Sequence, residues 1–261
     1  MIIRVLFFVM LLLPFTSVHA ELQDIIGILT DEINEEGEWS MDMHVNSTPR
    51  GAVMDSAYDG EVVNNHGIRF TPSLAYGLSD NLELTVSVPF VRDGNMTNNT
   101  VSLAGGRTRL TWIADIEEDL DSYGYWGASS SLLMAKEKFE FGKTVMDVGL
   151  IGGYRTPDWH IVTNAFVSNG FANGLRSMEP DYSLNTKLEK HVAENAWAGV
   201  ELYSGNGKAM TIDGITRFTT NMLFGTVAIE GKDALYQFGV GRGLNGNTDP
   251  LTLKFSVSIP L

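Results

Sequence analysis

Apolar and polar residues alternate along most of this chain, in short runs separated by polar turns. The stretch from Phe70 to Val91, FTPSLAYGLSDNLELTVSVPFV, shows the pattern twice, once on each side of the turn SDN. A period of two is typical of a β-strand with one apolar face. A soluble sheet would bury that face against a second layer, whereas a membrane barrel would expose it to lipid. The residues of that face are Phe70, Leu74, Tyr76 and Leu78, then Leu82, Leu84, Val86, Val88 and Phe90.

The same period continues from Glu38 to the end of the chain and predicts twelve strands. Several are near the ~9–11 residues that a tilted membrane-crossing strand needs. The predicted ranges are 38–47, 67–78, 82–91, 105–115, 124–134, 143–155, 159–168, 181–190, 196–204, 215–230, 234–243 and 250–261.

The connections between these strands differ in length in a regular way. Those after even-numbered strands are short, as at 79–81, 156–158 and 231–233, with somewhat longer polar turns near 116–123 and 191–195. Those after odd-numbered strands are generally longer and polar. Short turns at one end and long loops at the other are the layout of an outer-membrane barrel, with turns and termini in the periplasm. The long connections are 48–66, 92–104, 169–180 and 205–214.

The last predicted strand runs to the carboxyl end, as expected where the last strand of a barrel pairs with the first. Its sequence LTLKFSVSIPL places apolar residues on one face and Thr252, Lys254, Ser256 and Ser258 on the other. Pro72 falls inside the second strand. Because proline has no N–H to donate to the β-ladder, we predict a bulge at this position.

Two segments precede the barrel. Residues 1–20 have a short basic start, an apolar core and a small residue at Ala20, which predicts a secretory signal peptide. Residues 21–37 carry Leu22, Ile25, Ile26, Leu29 and Ile33 at helical spacing, with acids between them. This pattern predicts a short amphipathic helix that ends at Gly37, with a frayed acidic leader as the alternative. The helix would plug the periplasmic mouth of the 38–261 barrel or lie beneath it.

If the apolar face meets lipid, the other face lines a lumen, which tolerates charges that a dry sandwich core would not. These side chains either pair and fill the barrel or line a conduction path. Seven basic residues stand against five acids when Glu201 is included, which is too even a balance to predict ion selectivity. The predicted lumen residues are Asp42, His44, Arg69, Glu83, Arg107, Arg109, Asp147, Arg155, His160, Asn164, Lys187, Glu189, Arg217 and Lys254.

Composition narrows the choice of function. The formal net charge is −14, so the chain is a poor candidate for nucleic-acid binding. There is no cysteine, and therefore neither a disulfide framework nor a lipoprotein anchor. Most of the acidic excess lies before the first strand, at one turn near 115–121 and in the long loops, with no spacing that predicts a metal site. No cofactor is expected.

Catalytic motifs are missing from the sequence. There is no G-x-S-x-G elbow, no P-loop and no H-E-x-x-H pair. Some outer-membrane barrels are lipid hydrolases that use a neighbouring His and Ser on the lipid-facing side, and HVNS, from His44 to Ser47, is the stretch that invites this comparison. The alternation places His44 on the lumen face instead, so no catalytic residue is predicted.

Four stretches together resemble a family of proteobacterial outer-membrane barrels labelled transporter-like, similar to the proteins named for the MetA pathway of phenol degradation. They are GEWSMDMHVN, TPSLAYGLSDNLELTVSVPFV, GGRTRLTWIA and the terminal FGVGRGLNGNTDPLTLKFSVSIPL. The resemblance implies the fold and an outer-membrane location, with passage of small solutes as the expected function.

The sequence therefore predicts an all-β protein, a closed antiparallel transmembrane barrel of about twelve strands with a short N-terminal helix. The expected function is passive or facilitated diffusion of an unknown small solute through a polar lumen. The alternatives are a non-conducting barrel that displays its loops, a lipid-modifying enzyme and a soluble secreted sandwich. The expected partners are outer-membrane lipid, the solute and, during biogenesis, the barrel assembly machinery, but not nucleic acid.

Overall fold

The computed structural model describes residues 25–51, 65–92, 100–114, 121–136, 144–172, 176–177, 180–206, 220–246 and 248–261. The predicted signal peptide, the first four residues of the predicted helix, Arg217 and most of the acidic turn near 115–121 lie outside these ranges.

Twelve strands form one sheet, and three of them consist of two segments. Their bounds are β1 Trp39–Arg50, β2 Ile68–Ser79, β3 Leu82–Ser87 with Phe90–Arg92, β4 Val101–Leu103 with Gly105–Ile113, β5 Tyr123–Ala135, β6 Thr144–Arg155, β7 Trp159–Ala172, β8 Arg176–Ser177 with Asp181–Ala193, β9 Ala196–Asn206, β10 Thr220–Glu230, β11 Leu235–Gly243 and β12 Leu251–Pro260.

The sheet closes on itself, because β1 is hydrogen-bonded to both β2 and β12. Asp42 lies opposite Ser73 on one side and Ser258 on the other. Strands β2 to β11 each pair antiparallel with the strand before and the strand after them in the sequence. A closed barrel leaves no unpaired edge, which is the condition for a sheet that spans a membrane. The predicted all-β, twelve-stranded antiparallel barrel is confirmed.

Side chains alternate between the two faces of the wall as the sequence pattern requires. The apolar face of the β2–β3 hairpin is on the outside, where Leu74, Leu78, Val86 and Val88 are 36–46% exposed. Polar residues such as Ser73, Arg107 and Lys254 are buried on the inside. Apolar outside and polar inside is the arrangement of outer-membrane barrels. No helix in the described part of the chain is long and apolar enough to cross a membrane.

The two ends of the barrel differ. The end that carries the turns 80–81, 156–158, 194–195 and 231–234 is called the turn end, and the end with the longer connections the loop end. Both ends of the barrel chain lie at the turn end, where the Leu261 N–H donates to the Trp39 carbonyl at 2.9 Å.

Large aromatic side chains ring the outside of the turn end, as expected of the girdle at a membrane interface. Two pairs are in ring contact, Trp39 with Tyr76 and Trp112 with Trp126, at centroid distances of 4.4 and 4.9 Å. Tyr125, near the start of β5, does not belong to this girdle, because it points inward and is 5% exposed. The exposed members are Trp39, Trp112, Trp126, Tyr154, Trp159 and Tyr236.

The bulge predicted at Pro72 is absent. Pro72 pairs with Met43 in an unbroken register with β1, and the β2–β3 register is the same on both sides of it. The irregularity lies across the strand pair, where β3 is interrupted at Val88 and Pro89. Pro72 has no N–H to give to Val88, while the Val88 N–H still donates to the Pro72 carbonyl. The sheet therefore adapts by splitting β3 and keeps β2 in register.

The helix predicted over residues 21–37 is also absent from the described part, 25–37. The chain there has no regular secondary structure, with a bend at Asp31 and a turn at Glu36 and Gly37, and Gly37 has a φ of 85°. An isolated helix of this length is marginal, because its stability must come from packing of one apolar stripe. Here side chains of the barrel wall offer hydrogen-bond partners to the backbone of a non-helical chain. Residues 25–36, called the N-terminal segment below, run inside the barrel.

Candidate functional site: the barrel lumen

A cavity of about 740 Å³ lies between the barrel wall and the N-terminal segment. Every strand except β5 contributes a side chain to its lining, and the N-terminal segment lines one side of it. The wall residues that carry charge there are Asp42, Glu83, Arg107, Arg109, Asp147, Lys187 and Glu201, and His44 lies among them.

The remaining predicted lumen residues lie on the same inward face but outside the lining of this cavity. Arg69, His160, Asn164, Glu189 and Lys254 are each at most 6% exposed. Arg155 lies at the turn end, where its side chain contacts the N-terminal segment. Arg217 lies outside the described residues.

An ion pair anchors the N-terminal segment at the turn end. The Arg155 guanidinium donates to both carboxylate oxygens of Asp31, from Nε at 3.1 Å and from Nη2 at 2.8 Å. The Tyr123 hydroxyl donates to the same carboxylate at 2.8 Å, and Glu32 accepts a further bond from Arg155 at 2.7 Å. Charge-assisted forks of this kind are among the stronger polar contacts in proteins.

The pKa of the Asp31 carboxyl lies below its ordinary value of 3.8. Burial alone would raise it, because a charged group loses hydration. The hydrogen bond and positive charge of Arg155, the Tyr123 hydroxyl and the nearby His160 outweigh that burial and lower the pKa. Asp31 is therefore held as a carboxylate over the physiological range.

Backbone groups of the N-terminal segment are bound by side chains of the wall. The Asn164 amide accepts from the Leu29 N–H at 2.7 Å and donates to the Leu29 carbonyl at 2.9 Å. Glu83 accepts from the Asn34 N–H at 2.9 Å and from the Asn34 side chain at 2.8 Å. These contacts replace the bonds that a helix would have made, since buried backbone groups need partners.

An apolar patch on the inner wall holds the side chains of the N-terminal segment. It consists of four buried residues near the turn end, Ile113, Tyr125, Ile151 and Val162, and we call it the inner apolar patch. Ile28, Leu29 and Ile33 pack against it. This patch was not predicted from the sequence, although β6 carries a signal for it, since its stretch VMDVGLIGGY has apolar residues on both faces.

Charges on the opposite wall pair with one another. Lys187 bonds Glu189 at 2.8 Å, and Lys254 bonds Glu201. Glu201 also accepts from the Tyr203 hydroxyl at 2.7 Å. The Lys254 ammonium lies 3.5 Å from the Ile26 carbonyl, so the N-terminal segment crosses the lumen from the β3–β7 side toward β12.

The described residues form neither a metal site nor the neighbouring His and Ser of a lipid hydrolase. They contain no group of three or more His, Cys, Asp or Glu placed to hold a metal ion. In β1, His44 lines the cavity, and Ser47 has the opposite parity. The HVNS stretch therefore does not bring a histidine and a serine together on the lipid-facing side.

Comparison with solved structures supports the fold. The COG4313 outer membrane channel from Pseudomonas putida F1 matches with a TM-score of 0.57 at 14% identity, over 91% of this chain and 100% of that chain. The KdgM porin in complex with disordered oligogalacturonate matches with a TM-score of 0.54 at 10% identity, over 85% and 97%. At such identities the likeness shows the barrel fold. No protein-family model matches this sequence, and no curated protein matches it either.

Proposed function

We propose that this protein is a bacterial outer-membrane channel for passive or facilitated diffusion of small solutes through its polar lumen. The observation that carries the proposal is the cavity of about 740 Å³ enclosed by a closed barrel and lined by side chains of both charges. A dry interior would leave many of these groups without hydration, at a cost of several kcal/mol each. A water-filled passage removes that cost.

The outer surface supports the membrane location. Apolar side chains that are 36% exposed or more cover the outward faces of the strands, and the aromatic girdle marks the level of one interface. In outer-membrane barrels the short turns are periplasmic, so the turn end and the N-terminal segment belong on that side.

The N-terminal segment then acts as a plug that narrows the periplasmic mouth. Its contacts with Asn164, Arg155 and Glu83 hold it across the lumen. We infer that the channel has a low conductance while the segment is docked and a higher one when it is removed. A non-conducting barrel that only displays its loops is the competing function.

The resemblance of the sequence to the MetA-pathway proteins also supports this proposal. That resemblance rests on the pattern of strands and turns in the sequence. Solved neighbours with barrel folds are described as an outer membrane channel and a porin, which agrees with diffusion. Neither neighbour identifies the solute of this protein.

Single-channel recording of the refolded mature protein in a planar bilayer tests the proposal. We expect small discrete conductance steps from the wild type and larger steps from a variant that lacks residues 21–36. Arg109→Glu, which reverses a charge on the cavity lining, should shift ion selectivity toward cations. Lys232→Glu, in an exposed turn, is the matched control and should leave selectivity unchanged.

Two results would contradict a channel. The first is silence from both the wild type and the deletion variant when circular dichroism and gel mobility show that each is folded. The second is conductance whose selectivity is equally insensitive to Arg109→Glu and Lys232→Glu, because current would then bypass the lumen.

A further inference from the structure

We propose that the turn end of the lumen contains a carboxylate-binding subsite that Asp31 occupies, and that small solutes with a carboxylate next to an apolar group bind there in its place. This inference rests on the proposed function, since it names the class of solute for the same lumen. It also gives the N-terminal segment a second role, as an internal competitor.

The polar half of the subsite has the geometry of a carboxylate receptor. Arg155 presents two N–H groups to the two oxygens of Asp31, and Tyr123 adds a hydroxyl. Arginine forks match the planar shape of a carboxylate, whereas a single ammonium acts as a point charge. The bound side chain is nearly dry, with 4% of the Asp31 side chain exposed.

The apolar half lies directly beside it. His160 Nε2 is 3.6 Å from the Asp31 carboxylate and 2.7 Å from the Tyr125 hydroxyl. Tyr125 belongs to the inner apolar patch, which Ile28, Leu29 and Ile33 now cover. A ligand that replaces these groups must therefore present one carboxylate and one compact apolar group a short distance away.

The receptor is rigid and its present occupant is not part of the sheet. Tyr123 and Arg155 lie directly opposite each other in the β5–β6 register, so their relative position is fixed by the wall. Asp31 belongs to a segment without regular secondary structure. Release of the segment removes both Asp31 and Glu32 from Arg155, and of the two only Asp31 is buried in its pairing, since the Glu32 side chain is 60% exposed. A solute carboxylate can restore the lost pairing.

A tethered competitor sets how strongly the solute must bind. A segment attached at Gly37 has a high effective concentration at its own site, on the order of millimolar for a short flexible linker. The solute should therefore bind weakly to the wild type and more tightly when the hold of Asp31 is reduced. Such a device admits a solute when it is abundant and closes the mouth when it is scarce.

The test uses phenylacetate and, as an uncharged analogue of the same shape, phenylacetamide. The protein has no cysteine, so Thr30→Cys gives one attachment point on the N-terminal segment for a trifluoromethyl reporter. Fluorine NMR of the full mature protein in nanodiscs then shows whether the segment is docked. We expect phenylacetate, but not phenylacetamide, to move the reporter signal toward that of a released segment.

Variants separate the receptor from the competitor. In the Asp31→Asn variant, the phenylacetate concentration that gives half of the change in the reporter signal should fall by about tenfold. The reason is that the charged competitor for Arg155 is replaced by a neutral one. Adding Arg155→Gln to Asp31→Asn should abolish binding measured by equilibrium dialysis, whereas adding Lys232→Gln in the exposed turn should not.

Three results would overturn the inference: equal effects of phenylacetate and phenylacetamide, no binding to Asp31→Asn, or full binding to Asp31→Asn/Arg155→Gln. All of them are binding measurements and do not depend on current. A conducting channel without phenylacetate binding would reject this subsite alone, and a silent barrel that binds phenylacetate would reject the channel and leave the subsite in place.

Discussion

Lys254 illustrates at the scale of single residues how the lumen wall accommodates charge. Its side chain is 4% exposed and bonds Glu201, which is 1% exposed. Burial of either ion alone would be costly, because an unpaired ion loses its hydration without compensation. The Lys254–Glu201 ion pair and the hydrogen bond from the Tyr203 hydroxyl to Glu201 compensate for this loss of hydration.

Lys254→Met should destabilise the barrel by about 3 kcal/mol, because the Glu201 carboxylate would remain buried without its cation. Urea unfolding in lipid vesicles, followed by tryptophan fluorescence, measures this change. The double variant Glu201→Gln/Lys254→Met should recover most of the loss. A single variant as stable as the wild type would show that water or other groups already neutralise Glu201.

Asp31 gives a pH dependence with a definite sign. Its pKa is lowered when the N-terminal segment is docked, so its contribution to docking is present above the ordinary value of 3.8 and lost as the pH falls through the lowered pKa. The groups that face it are Arg155, Tyr123 and His160, and any protonation of His160 would add a cation beside Asp31.

Conductance should therefore stay constant between pH 8 and pH 5 and rise only below pH 3.8, when the segment is released. Single-channel recording across this range checks the expectation, with Asp31→Asn as the control that should not show the acid step. A rise between pH 7 and pH 5 would mean that a different group controls docking.

At this scale the alternation in the sequence assigns each strand residue to the inner or outer face of the barrel, but it does not predict which side chains contact each other. A period of two is enough to place Lys254, Glu189 and Arg107 on one face, because a strand alternates strictly. The Asp31–Arg155 pair joins residues 124 positions apart, and alternation carries no information about it. Tyr125 lies near a strand end, where aromatic residues are common in outer girdles, but its hydroxyl is hydrogen-bonded to His160 inside the barrel.

At the scale of elements, the N-terminal segment depends on one glycine of the wall. Gly77 faces inward on β2, and the segment passes so close that a Cβ added there would lie 1.8 Å from the Glu35 carbonyl oxygen. The Gly37 N–H donates to the Gly77 carbonyl at 2.9 Å, and the Gly77 N–H donates to the Glu38 carbonyl at 3.0 Å. A glycine is needed here for the approach of two backbones.

Gly77→Ala should displace the N-terminal segment and raise the conductance toward that of the deletion variant. The overpacking itself should cost about 1–3 kcal/mol. The matched control is Gly225→Ala on β10, where an added Cβ meets nothing within 4 Å. If both alanine variants conduct like the wild type, the segment does not depend on this close approach.

The strands could be predicted as elements because each must satisfy one rule, apolar to lipid and polar to the lumen. The N-terminal segment could not be predicted in this way. Its apolar residues have helical spacing, but the wall binds its backbone in a non-helical conformation. The inner apolar patch was the missing information, and it is formed by residues of four different strands. The proline in β2 was misread for a similar reason, since the adjustment occurred in the neighbouring strand.

At the scale of the whole molecule, the regular difference between the two ends carried the most information. The even number of strands, the short turns at one end and the apolar face of the carboxyl-terminal strand all indicate the same closed barrel. The pairing of β1 with β12 closes it. The sequence left open whether residues 21–37 plug the mouth or lie beneath it, and it did not predict the contacts by which the N-terminal segment crosses the lumen. That outcome depends on the shape and chemistry of a cavity that exists only after closure.

The route of the N-terminal segment has a consequence for the order of biogenesis. The segment contacts β3 through Glu83, β7 through Asn164 and β12 through Lys254, and β12 is the last strand in chain order. Its complete binding surface therefore does not exist until the first and last strands have joined. We therefore expect complete docking of the segment to follow closure of the sheet, so that a folding barrel passes through a stage in which the segment has only part of its partners.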